Sequence, residues 1–484
     1  MTANNDLTLV LDIGKSHAKL LMIDAAGAVV EQQGRANRSV TSSLGYPALD
    51  LAGLTQWVTT TLAASRATRR CTHAIASTHG AAFVALGDDG VAWDPIDYEY
   101  DGVEQTCDAY LAERDGFAAT LAPDLPAGLN AARQMFWMQR THPQAWTRTR
   151  CLLPYPQYWT WWLSGVPASE VSSLGCHTQL WRPAERRFTD MAVRQGWAGL
   201  FAPLRPAWQV LGRVRAERAR ETGLSEACEV HVGVHDSNAC LARCLQSGEL
   251  MTLVSTGTWI VVMAPGASVT HLDPARDMLA NVSVSGQAVP TARFMGGREL
   301  QALCAGASPA LANLDALADL LRRDVQARPS FAGAGGPFAG SEGGVAERGS
   351  AIPWATALTP VERASLAALY CAQVTTYLLD LLAAPLPALV EGPFADNLVY
   401  RHALAALLPP SSVRVSADTV DGTARGAWQL AHWREAEEAE EAAGAQALEP
   451  VGDRCPRDLL LQHHRRWLGW LRESGLFPFP VQRA

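Results

Sequence analysis

LVLDIGKSHAKLLMID, residues 9–24, decides the fold. The stretch LTLVLDIG (7–14) is apolar and rich in strand formers, KSHA (15–18) is polar, and KLLMID (19–24) is apolar again. AAGA (25–28) then makes a second turn before VVEQQGR (29–35), so the chain opens as a meander of strands. A Walker A loop is excluded, because GxxxxGK[ST] is absent and a strand follows the turn where a helix would be needed. The turn also holds both lysines of the chain, Lys15 and Lys19; every other basic side chain except histidine is an arginine. Gly14 allows backbone N–H groups to converge into an anion-binding nest, which two ammonium groups would strengthen. Asp12 just before the turn would repel a phosphate unless a cation lay between them, which points to Mg²⁺. A plain acidic turn with two solvated lysines is the competing reading.

From this turn the chain-wide properties can be read. With 484 residues, 48% hydrophobic and 18% charged, the chain is globular and long enough for two or three domains. A net charge of -8 and a pI near 5.9 argue against a broad nucleic-acid surface. The opening MTANNDLTLVLDIG lacks the basic and apolar regions of a signal peptide, and no run approaches the roughly 20 apolar residues that span a bilayer. A cytoplasmic protein with no membrane or nucleic-acid partner is therefore expected. Ten cysteines are scattered without CxxC pairs; Cys240 and Cys244 share a helix face, and all read as small buried thiols.

Further along, the pattern predicts a helix over 48–66, a strand CTHAIAST (71–78), and a strand in HGAAFVAL (79–86) with a DDG turn. Residues 130–147 read as an amphipathic helix ended near Pro143, and 156–165 as a helix closed by Gly165. Trp159, Trp161 and Trp162 read as core on that second helix. At 227–245 a strand precedes His235-Asp236 and a helix follows. ELMTLVSTGTWIVVMA (249–264) restarts the strand–turn–strand pattern, a weak internal repeat that puts a domain boundary near 247, giving domains 1–246 and 247–484. The Gly-rich 331–344 reads as an exposed loop. A long helix over 358–382 carries Thr359 as cap, Pro360 at its first position and Glu362 at its third. The acidic 434–446 reads as a solvated helix face.

Two later stretches carry chemistry. STGTW (255–259) is a small-residue turn whose hydroxyls and flexible Gly257 can close on phosphate oxygens, or it is a simple β-turn. In GVHDSNA (233–239), Asp236 stands between strand and helix, as a proton acceptor for a substrate hydroxyl or as a helix cap.

Taken in order, these stretches resemble the FGGY carbohydrate kinases of the actin-like and hexokinase-like ATPase superfamily, over nearly the whole chain. The resemblance is carried by 9–24, AIASTHGAAFVAL (74–86), PQYWTWWLSGVPASEVSSLGCHTQLW (156–181), VGVHDSNA (232–239), LVSTGTW (253–259), FMGGREL (294–300), VEGPFADN (390–397) and DGTARGAW (421–428). It implies an α/β, two-domain actin-like (ribonuclease H-like) fold with an inter-domain cleft, the sugar and base in 1–246 and the nucleotide in 247–484. The rhamnulokinase, fuculokinase and xylulokinase branches look most similar. The implied activity is transfer of the γ-phosphate of ATP to a hydroxyl of a small ketose such as L-rhamnulose or L-fuculose.

Carried over, the family implies Asp12 and Asp236 at the metal, and Asp236 as catalytic base. It implies Gly14, Lys15, Ser16 and Lys19 in the first phosphate turn, and Thr256, Gly257 and Thr258 in the second. Gly296 and Gly297 resemble a nucleotide-side glycine pair, and Gly392 and Asn397 the adenosine loop. His79, Gly80 and His235 fall on the sugar side. Mg²⁺ and a homodimer are family expectations. The departures are Lys15, where relatives often have a hydroxyl; Gln157, where an aspartate is common; and Phe394 and Trp428, which stand where they would narrow an adenine pocket. The competing readings are a pentulokinase for xylulose or ribulose, a non-catalytic sugar- or nucleotide-binding regulator, and a cytoskeletal ATPase.

Overall fold

The computed structural model describes residues 6–246, 249–333, 335–416, 421–433, 445–447 and 457–476. The acidic segment expected to be a solvated helix face lies, over 434–444, outside the described residues. The chain forms two compact units: 1–246 with 280–288 and 420–440, and 247–279 with 289–419 and 441–484. Two segments of the later sequence thus group with the first unit. No described helix is long and apolar enough to cross a membrane.

The first unit is built on β1 (Leu7–Ile13), β2 (His17–Asp24), β3 (Val29–Ala36) and β4 (Cys71–Thr78). Every residue of β1 is buried, because it sits in the middle of the sheet between β2 and β4. That position suits the largely apolar run its sequence shows, in which Thr8 and Asp12 are the buried polar exceptions. β3 lies at the sheet edge and is mostly exposed, which suits its Glu, Gln and Arg side chains. β1 and β2 pair antiparallel with Asp12 opposite Lys19, while β1 and β4 pair parallel with Asp12 opposite Ser77. The strand Val234–His235 joins the far side of β4, with His235 opposite Thr78.

In the second unit the strands Thr252–Thr256 and Ile260–Met263 form an antiparallel hairpin, and Thr252–Thr256 runs parallel to Ala388–Glu391. The hairpin-plus-parallel-strand arrangement of the first unit is thus repeated. The helix Pro360–Leu381 starts with the full capping box, Thr359 and Glu362 bonding reciprocally.

Two expectations about shape are corrected. The helix Ala131–Thr141 is not amphipathic in its first turns: Ala131 through Met138 are all buried, including Arg133, whose guanidinium reaches Asp124 and the Ala127 carbonyl. The pattern misled because buried polar side chains with partners look, in sequence, like a wet face. The Gly-rich loop is not simply exposed. Gly336 to Phe338 are buried, the Gly336 N–H donates to Asp277 at 3.0 Å, and Phe338 stacks on Tyr377 at 5.0 Å. Glycine is needed there because a Cβ on Gly336 would lie 2.8 Å from the Phe294 Cβ, at a φ of +85°. Trp159 and Trp162 are core, as expected.

Candidate active site

The first unit gathers carboxylates around one ammonium. Asp12 is the last residue but one of β1, and Lys19 stands opposite it on β2, with Nζ 4.0 Å from Asp12 Oδ2 and 2.7 Å from Asp421 Oδ2. Asp421 caps the helix Gly422–Ala431 by accepting the Thr423 N–H at 3.1 Å. Asp236 opens the helix Asp236–Gln246. These two helices lie backbone to backbone: a Cβ on Gly426 would fall 1.8 Å from the Ala239 carbonyl oxygen. Burial, then the charges of Asp421 and Asp236, lift the Asp12 pKa from 3.8 to about 7, with Lys19 working the other way. Burial works against the Lys19 ammonium, but Asp421 and Asp12 outweigh it and hold its pKa above the ordinary value.

Asp236 is held by one oxygen. Oδ1 accepts the Ser237 N–H at 2.6 Å and the Ser237 hydroxyl at 3.3 Å, and His235 Nε2 lies 3.0 Å from it. Oδ2 has no hydrogen bond among the described residues. Burial pushes the carboxyl up, and His79 and the Ser237 donors oppose that. Burial also keeps the His235 imidazole neutral, at a pKa of about 4. Its Nδ1 lies 3.1 Å from Asn238 Nδ2, a donor, so Nδ1 accepts and the proton sits on Nε2, facing the carboxylate. Cys176 Sγ shares that side of the ring at 3.1 Å. Gly80 must be glycine here, since a Cβ would meet Cys176 Sγ at 2.6 Å and His235 Nε2 at 2.9 Å. Asp236 is therefore not the cap of its helix; its contacts are to its immediate neighbours.

Beside this cluster is a cavity of about 210 Å³, whose wall includes Lys15, Asn37, Arg38, Ser39, His79 and Glu99. The Asn37 N–H donates to the Ser16 carbonyl and its amide to the Gly14 carbonyl, both at 2.8 Å, fastening the turn. The buried His79 ring donates from Nδ1 to the Gly80 carbonyl at 2.9 Å and is held neutral by burial. Gln157, where an aspartate was expected, donates to the carbonyls of Val232 at 3.2 Å and Gly233 at 3.0 Å. It thus ties down the chain leading to Asp236, a task a carboxylate could not perform on carbonyls.

In the second unit the sequence-marked glycines serve close approach. A Cβ on Gly297 would lie 2.5 Å from the Gly257 carbonyl oxygen, and the Gly297 N–H donates to the Thr258 carbonyl at 3.1 Å. Gly296 would press its Cβ on Ile260 at 2.6 Å. The helix Gly296–Cys304 therefore sets its N-terminus against the 256–258 turn. Gly392, at φ +86°, lets its loop pass the Thr256 carbonyl, which a Cβ would approach to 2.1 Å. The buried Thr256 hydroxyl donates to the Glu391 carbonyl at 2.5 Å and accepts the Phe394 N–H at 3.2 Å, so it fastens the loop; Thr258 is the exposed hydroxyl of the turn. Asn397 caps the helix Leu398–Leu407 through the Tyr400 N–H at 3.0 Å. Phe394 is buried against Tyr400, and Trp428 packs against His432 and Arg425.

Sequence reasoning assigned no role to Asp421, Asn238 or Asp97. Asp421 carried a signal, since Asp-Gly-Thr before an apolar helix is an N-cap pattern; Asn238 and Asp97 carried none.

The family description "Carbohydrate kinase FGGY, C-terminal domain" matches residues 248–440. No curated protein matches the chain at a significant level. Among solved structures, a carbohydrate kinase from Novosphingobium aromaticivorans is 34% identical, with 97% of this chain and 99% of that one covered and a TM-score of 0.84. A xylulose kinase from Rhodospirillum rubrum is 18% identical over 97% and 99%, TM-score 0.76. A glycerol kinase from Plasmodium falciparum, solved with ADP, is 11% identical over 98% and 99%, TM-score 0.75. The last two speak for the two-domain actin-like fold alone. On the strength of the first, together with the family match, this chain belongs to the FGGY carbohydrate kinases and is a sugar phosphotransferase.

Proposed function

We propose that the enzyme transfers the γ-phosphate of ATP to a hydroxyl of a small uncharged ketose, L-rhamnulose or L-fuculose being the first candidates and the pentuloses xylulose and ribulose the next. The observation that carries the reading is Asp236: one carboxylate oxygen fixed by donors and the other without a hydrogen bond among the described residues, next to an acidic cluster with one ammonium. Oδ2 takes the proton of the sugar hydroxyl as its oxygen bonds to the γ-phosphorus, and the bond from that phosphorus to the β–γ bridging oxygen breaks, releasing ADP. In a loose transition state the proton moves late, so positioning matters more than base strength. The first unit is assigned the sugar, through His79, Gly80 and the cavity wall. The second is assigned the nucleotide, through Gly257, Thr258, the Gly296–Gly297 helix tip and the Gly392 loop.

The donor chemistry fits a magnesium ion, since Asp12 stands within the field of two further carboxylates, Asp421 and Asp236, against the single ammonium of Lys19. Asp12 and Asp236 would hold it, with Asp421 behind. Among the described residues no group of three or more histidine, cysteine or carboxylate side chains that could hold a metal ion is present. When bound, it supplies charge neutralisation for the phosphoryl group. Lys19 is assigned the same electrostatic task from the protein side. Cytoplasmic action and a homodimer accompany the reading; fractionation and sedimentation test them.

The deciding experiment is coupled ADP release across L-rhamnulose, L-fuculose, xylulose, ribulose and glycerol. Sugar-dependent release is expected. Sugar-independent hydrolysis, or silence with saturable binding, overturns the reading.

A further inference from the structure

Lys15 and Lys19 are four residues apart, yet the turn sends them to different places. Lys19 joins Asp12 and Asp421. The Lys15 ammonium is bound to Asp97 Oδ1, lies 3.5 Å from Glu99 Oε2, and sits 5.0 Å over the Tyr98 ring. Asp97 is fixed in turn by the Ser39 hydroxyl and by the Glu99 N–H at 2.9 Å. Burial alone would raise its pKa, but Lys15 and the other two donors hold it below the usual carboxylate range. Asp97 is nearly fully buried, its side chain 3% exposed, and this anchors Lys15 on the cavity wall.

We infer that Lys15 serves the acceptor sugar and not the phosphates, forming with Asp97 a clamp for hydroxyl oxygens that selects an uncharged sugar. The inference rests on the kinase reading and deepens it. An ammonium has three N–H donors. Asp97 takes one and Glu99 at most another, which leaves one for a ligand in the cavity. Charge decides the ligand class. Among the cavity's lining residues Lys15 and Arg38 are balanced by Asp50 and Glu99, and behind the wall Asp97 is offset by Arg35, which pairs with Asp50 at 3.0 Å. A sugar carboxylate meets no net positive field there, whereas a neutral polyol can use the ammonium as donor and the carboxylates as acceptors. The pair is specific to a lysine at position 15, because a hydroxyl there is too short to span to Asp97 and present a charge.

The test compares Lys15→Met and Asp97→Asn with the parent enzyme, using L-rhamnulose, xylulose and D-gluconate as probes. Steady-state KM for sugar and for ATP is measured, and sugar and ADP binding are measured separately by calorimetry. For Lys15→Met the expected result is a rise of about 10–100-fold in sugar KM and Kd, the loss of a charge-assisted hydrogen bond, with ATP KM and ADP Kd within about threefold. Asp97→Asn makes the wall net more positive, and is expected to raise gluconate binding relative to the neutral sugars. A rise in ATP KM or ADP Kd with sugar binding unchanged returns Lys15 to the phosphates and overturns the inference. So does a parent enzyme that prefers gluconate. If Lys15→Met does not fold, the gluconate-to-sugar ratio of Asp97→Asn decides alone. If the parent shows sugar binding but no turnover, the kinase reading falls while the binding comparison still judges the clamp.

Discussion

Replacing Asp236 with Asn isolates the proton acceptor from everything around it. In the parent, Oδ1 accepts from the Ser237 N–H at 2.6 Å and the Ser237 hydroxyl at 3.3 Å, and faces His235 Nε2 at 3.0 Å. An asparagine can keep an oxygen in that place, so the side chain should hold its rotamer. What changes is the other position, where an NH₂ replaces Oδ2. The variant can neither take the proton nor carry the charge. Loss of a general base costs about 10²–10⁴-fold in turnover, or roughly 3–5 kcal/mol of barrier. Sugar affinity should stay within about threefold, since the cavity wall is untouched. The assay is sugar-dependent ADP release under saturating sugar and ATP, with sugar binding by calorimetry alongside. Turnover within tenfold of the parent refutes the base assignment. Full loss of sugar binding would refute the geometric argument instead, by showing that Asp236 chiefly holds the site together.

Other outcomes follow from the same geometry. The Asp12 pKa of about 7 lies above its ordinary 3.8, so the folded state holds an extra proton between those values. Its contribution to stability is therefore full below about pH 4 and is lost as pH rises through 7, a swing on the order of 4 kcal/mol. Asp12→Asn should melt higher than the parent at pH 8 in metal-free buffer; a lower melting temperature would contradict the burial argument. Lys19→Met leaves Asp12, Asp421 and Asp236 facing one another without a cation, and should cut kcat about tenfold or more or raise ATP KM; no change in either removes Lys19 from the mechanism. Gly392→Ala places a Cβ 2.1 Å from the Thr256 carbonyl at a φ of +86°, and should cost about 2–4 kcal/mol in urea unfolding. A midpoint equal to the parent's would mean that the loop relaxes freely.

Local signals carried the framework. The β1–β2 hairpin, the capped helix from Pro360 and the strand before Asp236 depend on periodicity, turn residues and caps, all within a few positions. Even the pairing of Asp12 with Lys19 follows from the hairpin register. Lys15 shows where locality ends, for its direction is set by Asp97, 82 residues away. The same holds for Asn238 and His235, whose tautomer depends on an amide with no marker of its own. The 331–344 glycines misled for a related reason: the composition of a free loop and that of a segment packed closely on Phe294 are identical in sequence. The Thr256 and Asn397 side chains, which the sequence marked as ligand contacts, instead hydrogen-bond backbone groups of their own loops, a use that residue type alone does not distinguish.

The helix pair that meets at Gly426 and Ala239 has an evolutionary consequence. Its backbones touch, so Asp236 and Asp421 are tied to a rigid body that tolerates little change at the contact. Lys15, Asn37, Arg38, Ser39 and Glu99 instead sit on a turn and on strand margins, several of them exposed. Substitutions there are free to drift from one sugar to another while the proton-taking carboxylate keeps its place. A mutant library aimed at new acceptors should therefore vary that rim and hold the helix pair constant.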